Sequence, residues 1–364
     1  MYVKRLILNH FRCYEKIDCQ FDQDRIYISG ENGIGKTTIL EAIYLLTIGR
    51  SFRKADNIDL IQTGQNEASI YLIYHSESDE KDHSLSCVIG KNYKVFACDD
   101  EKVPKVSKIL RKLIAIYYIP SLVFFFQDEP ELRRKMLDET LSQLSPQYFY
   151  AIDRYKKLLK ERNSALNQGY DSEVIDVLRN ELINLSYRIV KDRKDLIARL
   201  EKKANLYYNK LFQTKERKLQ LVYKTNSPDD DDQESFIQHS LSLFEQQKSV
   251  ENIKKTTAIG PHRDDLIGLL NQKELARYGS QGENRLASLS LKLAVADEYQ
   301  QVLKNRPILL LDDITSDLDE ERCKNLLSLI NDENQQVFLT GTTLREGSQS
   351  YSVYFTDGKN IIRG

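Results

Sequence analysis

The chain has 364 residues, 41% hydrophobic and 29% charged, and its 53 lysines and arginines nearly balance 54 aspartates and glutamates for a net charge of −1. That length suits one composite domain with a subdomain, and the near-zero charge rules out a global positive field, so any nucleic-acid role must rest on local patches. Five scattered cysteines (Cys13, Cys19, Cys87, Cys98, Cys323) form no Cys-x-x-Cys pair, and no apolar run is long enough to span a bilayer; a reduced, cytoplasmic protein with no membrane role is expected.

The opening reads as short strands at Val3–Asn9, Ile17–Phe21 and Arg25–Ser29. The third runs into Gly30-Glu31-Asn32-Gly33-Ile34-Gly35-Lys36-Thr37, which fits G-x-x-x-x-G-K-[ST], and a helix follows from about Lys36 to Leu46. Strand, glycine loop and helix stand in the order that phosphate binding needs. The glycines let backbone N–H groups wrap a β-phosphate, and the helix N-terminus adds partial positive charge. Lys36 can bridge β- and γ-oxygens, and Thr37 can ligate Mg²⁺. Ser69–His75, Ser84–Ile89 and Lys94–Ala97 are further strands, and together they suggest an antiparallel layer beside the nucleotide site.

The pattern becomes helical after about Pro130. Leu178, Leu182, Leu185 and Ile189 keep a 4-3-4 spacing that Leu196 and Leu200 resume, so a helix from Ser172 to Phe212 is expected, on the order of 60 Å long. Between Ala151 and Lys224, 18 basic residues face 10 acidic ones, a surplus of 8 (18 − 10), with clusters at Lys156-Lys157, Lys160, Arg162, Lys202-Lys203 and Lys215 to Lys218. Such clusters can neutralise DNA phosphates without reading sequence, although a charged helix is more often a solvated face. The run Pro228 to Asp232 reads as a solvated acidic loop.

The α/β pattern then returns. Ser280-Gln281-Gly282-Glu283-Asn284-Arg285 opens a helix to about Leu303 with Leu286, Leu289 and Leu293 on one face. A serine and a glycine at a helix start make a second anion site, while Ser280 with Glu283 also fits a capping box. The strand Ile308–Leu311 ends in Asp312 and Asp313, where one carboxylate can hold the Mg²⁺ shell and the other can orient or deprotonate the attacking water. A helix Glu320–Asn331, a strand Gln336–Thr340 and a hairpin around Asp357-Gly358 complete the chain.

In this order, P-loop, helical insertion, Ser-x-Gly-x-x-Arg, Leu-Leu-Leu-Asp-Asp and Ser316-Asp317-Leu318-Asp319, the chain resembles the ABC/SMC-type ATPase head. Within that group it is similar to the RecF family through Asn9-His-Phe-Arg-Cys-Tyr14, Gly49-Arg-Ser-Phe-Arg53, Gly260-Pro-His-Arg-Asp264 and Thr340-Gly-Thr-Thr343. Four stretches depart from the family pattern: Pro120-Ser-Leu-Val, Phe124-Phe-Phe126, Gln127-Asp128 and, more mildly, Ser316-Asp317-Leu318-Asp319. The resemblance implies an α/β ATPase head with a mixed sheet and a P-loop core, interrupted by a mainly helical arm: head 1–128, arm 129–255, head 256–364. It implies ATP and Mg²⁺ as ligands, with Arg12 and Arg50 near the nucleotide and Thr342 or Thr343 at a switch position. Ser316, Asp317 and Asp319 would lie across the interface of an ATP-dependent homodimer, in which Ser280 completes the partner's site. It further implies slow, DNA-stimulated hydrolysis and binding to double-stranded DNA and single/double-strand junctions. RecR- and RecO-type mediators would help it load RecA, within the SOS response. An ATP-gated nuclease and a transporter motor subunit are the rival readings. The helical insertion disfavours the transporter, and the chain after Thr343 has no room for a nuclease domain.

Overall fold

The computed structural model describes residues 1–21, 24–214, 216–314, 318–331, 335–343 and 350–364. The strands in chain order are β1 (Tyr2–Phe11), β2 (Tyr14–Gln20), β3 (Arg25–Ser29), β4 (Glu67–Ser76), β5 (Lys81–Gly90), β6 (Tyr93–Cys98), β7 (Glu101–Val103) and β8 (Ala115–Tyr118). After a helical middle come β9 (Leu219–Lys224), β10 (Asp265–Leu270), β11 (Lys273–Glu274), β12 (Ile308–Leu311), β13 (Val337–Gly341), β14 (Ser352–Thr356) and β15 (Ile361–Arg363). They divide between two compact units: Met1–Val123 with Leu206–Glu216 and Ser288–Gly364, and Phe124–Asn205 with Arg217–Ala287. Against the boundaries read from sequence, residues 124–128 and 256–287 group with the helical unit and 206–216 with the first unit.

The first unit holds two sheets. One is antiparallel, in the order β2-β1-β4-β5-β6-β7; the other runs β15-β14-β3-β13-β12-β8, parallel except for β15. Its central strands are buried at every position from Ile308 to Leu311 and from Val337 to Gly341, the continuous apolar pattern of a parallel strand covered on both faces. The helix Lys36–Ile48 touches β8, β12 and β13 of this sheet and β5 of the other. It is therefore buried all round except at Thr37 and shows no amphipathic stripe. Strand β8 was hidden in the apolar run Ile114 to Phe126, where period alone does not separate a buried strand from a buried helix.

The second unit carries the helices Pro130–Leu144, Pro146–Gln168 and Gln233–Lys254 and most of Ser172–Phe212, with the small sheet β11-β10-β9. Ile183, Val190, Phe236, Phe244 and Ile259 form an apolar core. Beside it the guanidinium of Arg193, about 1% exposed, donates to Asp138 Oδ1 at 2.7 Å and to the Pro261 carbonyl at 2.7 Å. Arg162, grouped in the sequence with candidate DNA contacts, is also buried: its Nη2 lies 2.6 Å from Glu251 Oε2 and its Nη1 2.9 Å from Thr257 Oγ1. A side chain held this way is not offered to a phosphate.

The acidic run is more than a solvated loop. Asp232 caps the helix Gln233–Lys254 by accepting from the Ser235 N–H at 2.9 Å, Asp230 bonds His239, and Asp229 pairs with Lys194. Among the described residues no helix is long and apolar enough to cross a membrane.

Candidate functional site

Register places the ends of three parallel strands side by side. Gly341 pairs with Ser29 across β13 and β3, and Leu339 with Leu311 across β13 and β12. The loop after β3 and the carboxylates after β12 therefore meet at the C-terminal edge of the sheet, where open α/β sheets bind ligands. A cleft of about 490 Å³ opens there, within the first unit. Asn32, Gly33, Gly35, Lys36, Thr37 and Thr38 line one side and Asp312 and Asp313 another, with Arg12 and Arg53 in the wall.

The glycines are required by geometry. Gly35 has φ +116°, and a Cβ there would stand 2.8 Å from Cys13 Sγ and 2.9 Å from Tyr14 Oη. Gly33 also has positive φ, at +80°, with open space around it. A Cβ on Gly30 would meet the Thr356 carbonyl at 2.9 Å. The loop is thus a backbone-lined cradle with no room for side chains at two of its turns. Lys36 Nζ donates to the carbonyls of Gly30 at 2.7 Å and Glu31 at 2.9 Å, which anchors the ammonium at the loop. Ile34 bonds back to the Glu31 carbonyl at 3.4 Å.

Thr37 Oγ1 donates to the Asp312 carboxylate, 2.8 Å from Oδ1 and 2.7 Å from Oδ2, and Thr340 Oγ1 donates to Oδ1 at 2.7 Å. Burial pushes the Asp312 carboxyl above its usual range, with Asp313 adding to the rise, while Thr340, Thr37 and Arg53 oppose it. A hydroxyl and a carboxylate so placed are hard oxygen donors of the kind Mg²⁺ takes, and the remaining oxygens would come from phosphates and water. Asp313 takes a positive φ of +48° at the cleft, and its N–H donates to Thr340 Oγ1 at 2.9 Å.

Arg12 sits in the β1–β2 turn and grips Glu41 of the P-loop helix through Nε at 3.1 Å and Nη2 at 2.7 Å. Arg50 is exposed and stands outside the cleft wall, which Arg53 lines instead. The reason is local: Gly49 ends the helix at φ +79°, and the Arg53 N–H folds back onto Ser51 Oγ at 2.9 Å. No spacing rule separates the two arginines of this loop. Thr342 and Thr343 are exposed, their carbonyls accepting from Ser29 and Tyr27.

Ser280 belongs to the second unit. Its hydroxyl and N–H both reach Glu283 Oε2, at 3.0 and 2.9 Å, and the Glu283 N–H returns to Ser280 Oγ at 3.2 Å, a complete capping box. Arg217 Nη1 adds a contact to Glu283 at 2.6 Å. Asn284, given no role by the sequence pattern, is fully buried and donates to the carbonyls of Leu275, Gly279 and Ser280, fixing the turn from below. Gln281 and Gly282 form the first turn of the helix Gln281–Leu303, and Leu286, Leu289 and Leu293 are buried. Asp319 caps the helix Glu320–Asn331, accepting from the Arg322 N–H at 2.9 Å. Ser316 and Asp317 lie outside the described residues.

Residues 2–120 match the model of the RecF/RecN/SMC N terminal domain family. The chain is 34% identical over 353 residues to "DNA replication and repair protein RecF" of Latilactobacillus sakei, covering 94% of this chain and 93% of that one. It is 33% identical over 357 residues to the protein of the same name from Halalkalibacterium halodurans. Its fold matches that of the recombination mediator protein RecF bound to ATP, in the RecFOR pathway, with a TM-score of 0.91 at 26% identity over 100% of this chain and 97% of that one. The Smc head domain of Pyrococcus furiosus shares the fold alone, at a TM-score of 0.58 and 17% identity. With that identity spanning nearly the whole of both chains, and with the glycine cradle and the Asp312 edge in place, the chain belongs to the RecF family of DNA replication and repair proteins.

Proposed function

We propose that the chain binds Mg²⁺-ATP in the Gly30–Thr37 cleft and hydrolyses it slowly as part of an ATP-closed grip on duplex DNA. The observation that carries this is the direct contact of Thr37 Oγ1 with both oxygens of the Asp312 carboxylate. It joins the loop after one strand to the acid after another, at the place where a triphosphate and its cation would sit. Lys36 would exchange its loop carbonyls for phosphate oxygens, Thr37 and Asp312 would hold Mg²⁺, and Asp313 would orient the attacking water.

The Ser280 turn would complete the site of a second subunit, so that ATP holds two chains together, with Asp319 and its neighbours at that interface. The exposed lysines of the helical unit, among them Lys156, Lys157, Lys160, Lys202 and Lys218, supply the phosphate contacts. Membership of a recombination-repair family supports a role with RecO- and RecR-type mediators at gaps and junctions, where RecA is loaded. The test is ATP turnover with and without duplex DNA. Turnover should rise with DNA while the DNA stays uncut, and Asp313→Asn should bind ATP yet turn over at least tenfold more slowly. DNA cleavage, or unchanged turnover in Asp313→Asn, contradicts the assignment.

A further inference from the structure

Glu41 is a carboxylate with 0% exposure, on the P-loop helix one turn beyond Thr37, and it takes no part in the cleft wall. An acid so deep is costly unless its charge is compensated. Here two arginines compensate it. Arg12 docks side-on through Nε and Nη2, and Arg53 Nη1 stands 3.5 Å from Oε2. The Ser51 hydroxyl also donates to Oε1. Both guanidinium groups are partly exposed, 20% for Arg12 and 36% for Arg53, and both line the cleft. They come from different segments, the β1–β2 turn and the loop after the P-loop helix. Without a shared anion between them, two like charges held against one carboxylate would repel and splay apart.

We infer that Glu41 is a positioning residue: it clamps Arg12 and Arg53 together as a cationic wall that receives the polyphosphate of the nucleotide, and so sets affinity without touching the ligand. The side-on grip uses Nε and Nη2, and Arg12 Nη1 makes no hydrogen bond among the described residues, so it is available to a phosphate oxygen. Two guanidinium charges less one carboxylate leave a surplus of one, which adds to Lys36 across the loop. This inference rests on the nucleotide reading of the cleft and assigns a job to a residue that reading does not use.

The test is titration of a fluorescent ATP analogue against full-length protein carrying Glu41→Gln, Arg12→Ala, both together, or Lys36→Ala. Glu41→Gln keeps the shape and removes the charge. Each of the first two should weaken binding about tenfold, within the range usual for coupling between neighbouring charged groups. The double variant should fall less than about threefold beyond Arg12→Ala alone, because Glu41 acts largely through Arg12. A packing role would instead make the two losses multiply, and that result overturns the inference. So does Glu41→Gln binding as wild type while Lys36→Ala has lost its affinity. If Lys36→Ala also binds as wild type, the nucleotide site fails first and takes the clamp with it. Should Glu41→Gln not fold, Ser51→Ala removes the hydroxyl contact to Glu41 and the acceptor of the Arg53 N–H; it should weaken binding about threefold, and wild-type binding in Ser51→Ala overturns the inference.

Discussion

Arg162 separates a structural cation from a DNA contact. It and Glu251 are each about 3% exposed, 2.6 Å apart, and the guanidinium carbon stands 5.1 Å from the centroid of the Phe244 ring. Removing one partner of such a pair leaves a buried, uncompensated charge, at a cost of about 3–5 kcal/mol. Loss of the Thr257 hydrogen bond adds about 1 kcal/mol. Arg162→Met should therefore destabilise the protein by roughly 5 kcal/mol, and Glu251→Leu by a similar amount. Arg162→Met with Glu251→Leu should return to within about 2 kcal/mol of wild type, since no charge is then stranded and only the hydrogen bonds to Thr257 and from the Ala258 N–H are lost. The chain has no tryptophan and 21 tyrosines, so urea unfolding followed by tyrosine fluorescence and far-UV circular dichroism is the suitable assay. Duplex binding measured on the folded double variant should match wild type. A double variant that is stable but has lost DNA affinity would refute the placement of Arg162 in the core, as would a single variant losing less than about 1 kcal/mol.

Two further outcomes follow from the geometry. Gly35→Ala forces a Cβ into a left-handed turn against Cys13 and Tyr14 and should abolish ATP-analogue binding while leaving far-UV circular dichroism unchanged; binding within threefold of wild type contradicts the cradle. His262 accepts from Tyr155 at 2.7 Å and meets the Thr257 carbonyl at 3.0 Å, and burial pushes its pKa down to about 4. The unfolded chain then takes a proton that the folded chain refuses, so this contribution to stability is whole above about pH 6.5 and is lost as pH falls toward 4. Wild type should lose about 2 kcal/mol more than His262→Gln between pH 7.5 and 5 in urea unfolding, and equal losses would show that the imidazole is already charged in the fold.

Local patterns carried much of the fold. The limits of Arg25–Ser29, Ile308–Leu311, Glu320–Asn331 and the long helix Ser172–Phe212 coincide with the sequence reading, because turn residues or leucine spacing mark both ends. What was not legible depends on distant partners. Strands β9 and β10 pair Lys224 with Asp265, and a whole helix lies between them. Burial of Arg162 and Arg193 depends on acids 89 and 55 residues away along the chain. At the site, the glycine loop and the two aspartates were readable from spacing. The presence of Arg53 in the cleft wall, and its approach with Arg12 to Glu41, arise from how two loops fold onto one helix, which no periodicity encodes.

The most direct test of the shared-nucleotide account is sedimentation with and without ATP. Wild type should pair when ATP is added, Lys36→Ala should stay single because it takes up no nucleotide, and Ser280→Arg should bind ATP yet stay single. Wild type that remains single with ATP at every concentration, or Ser280→Arg that pairs, would contradict it.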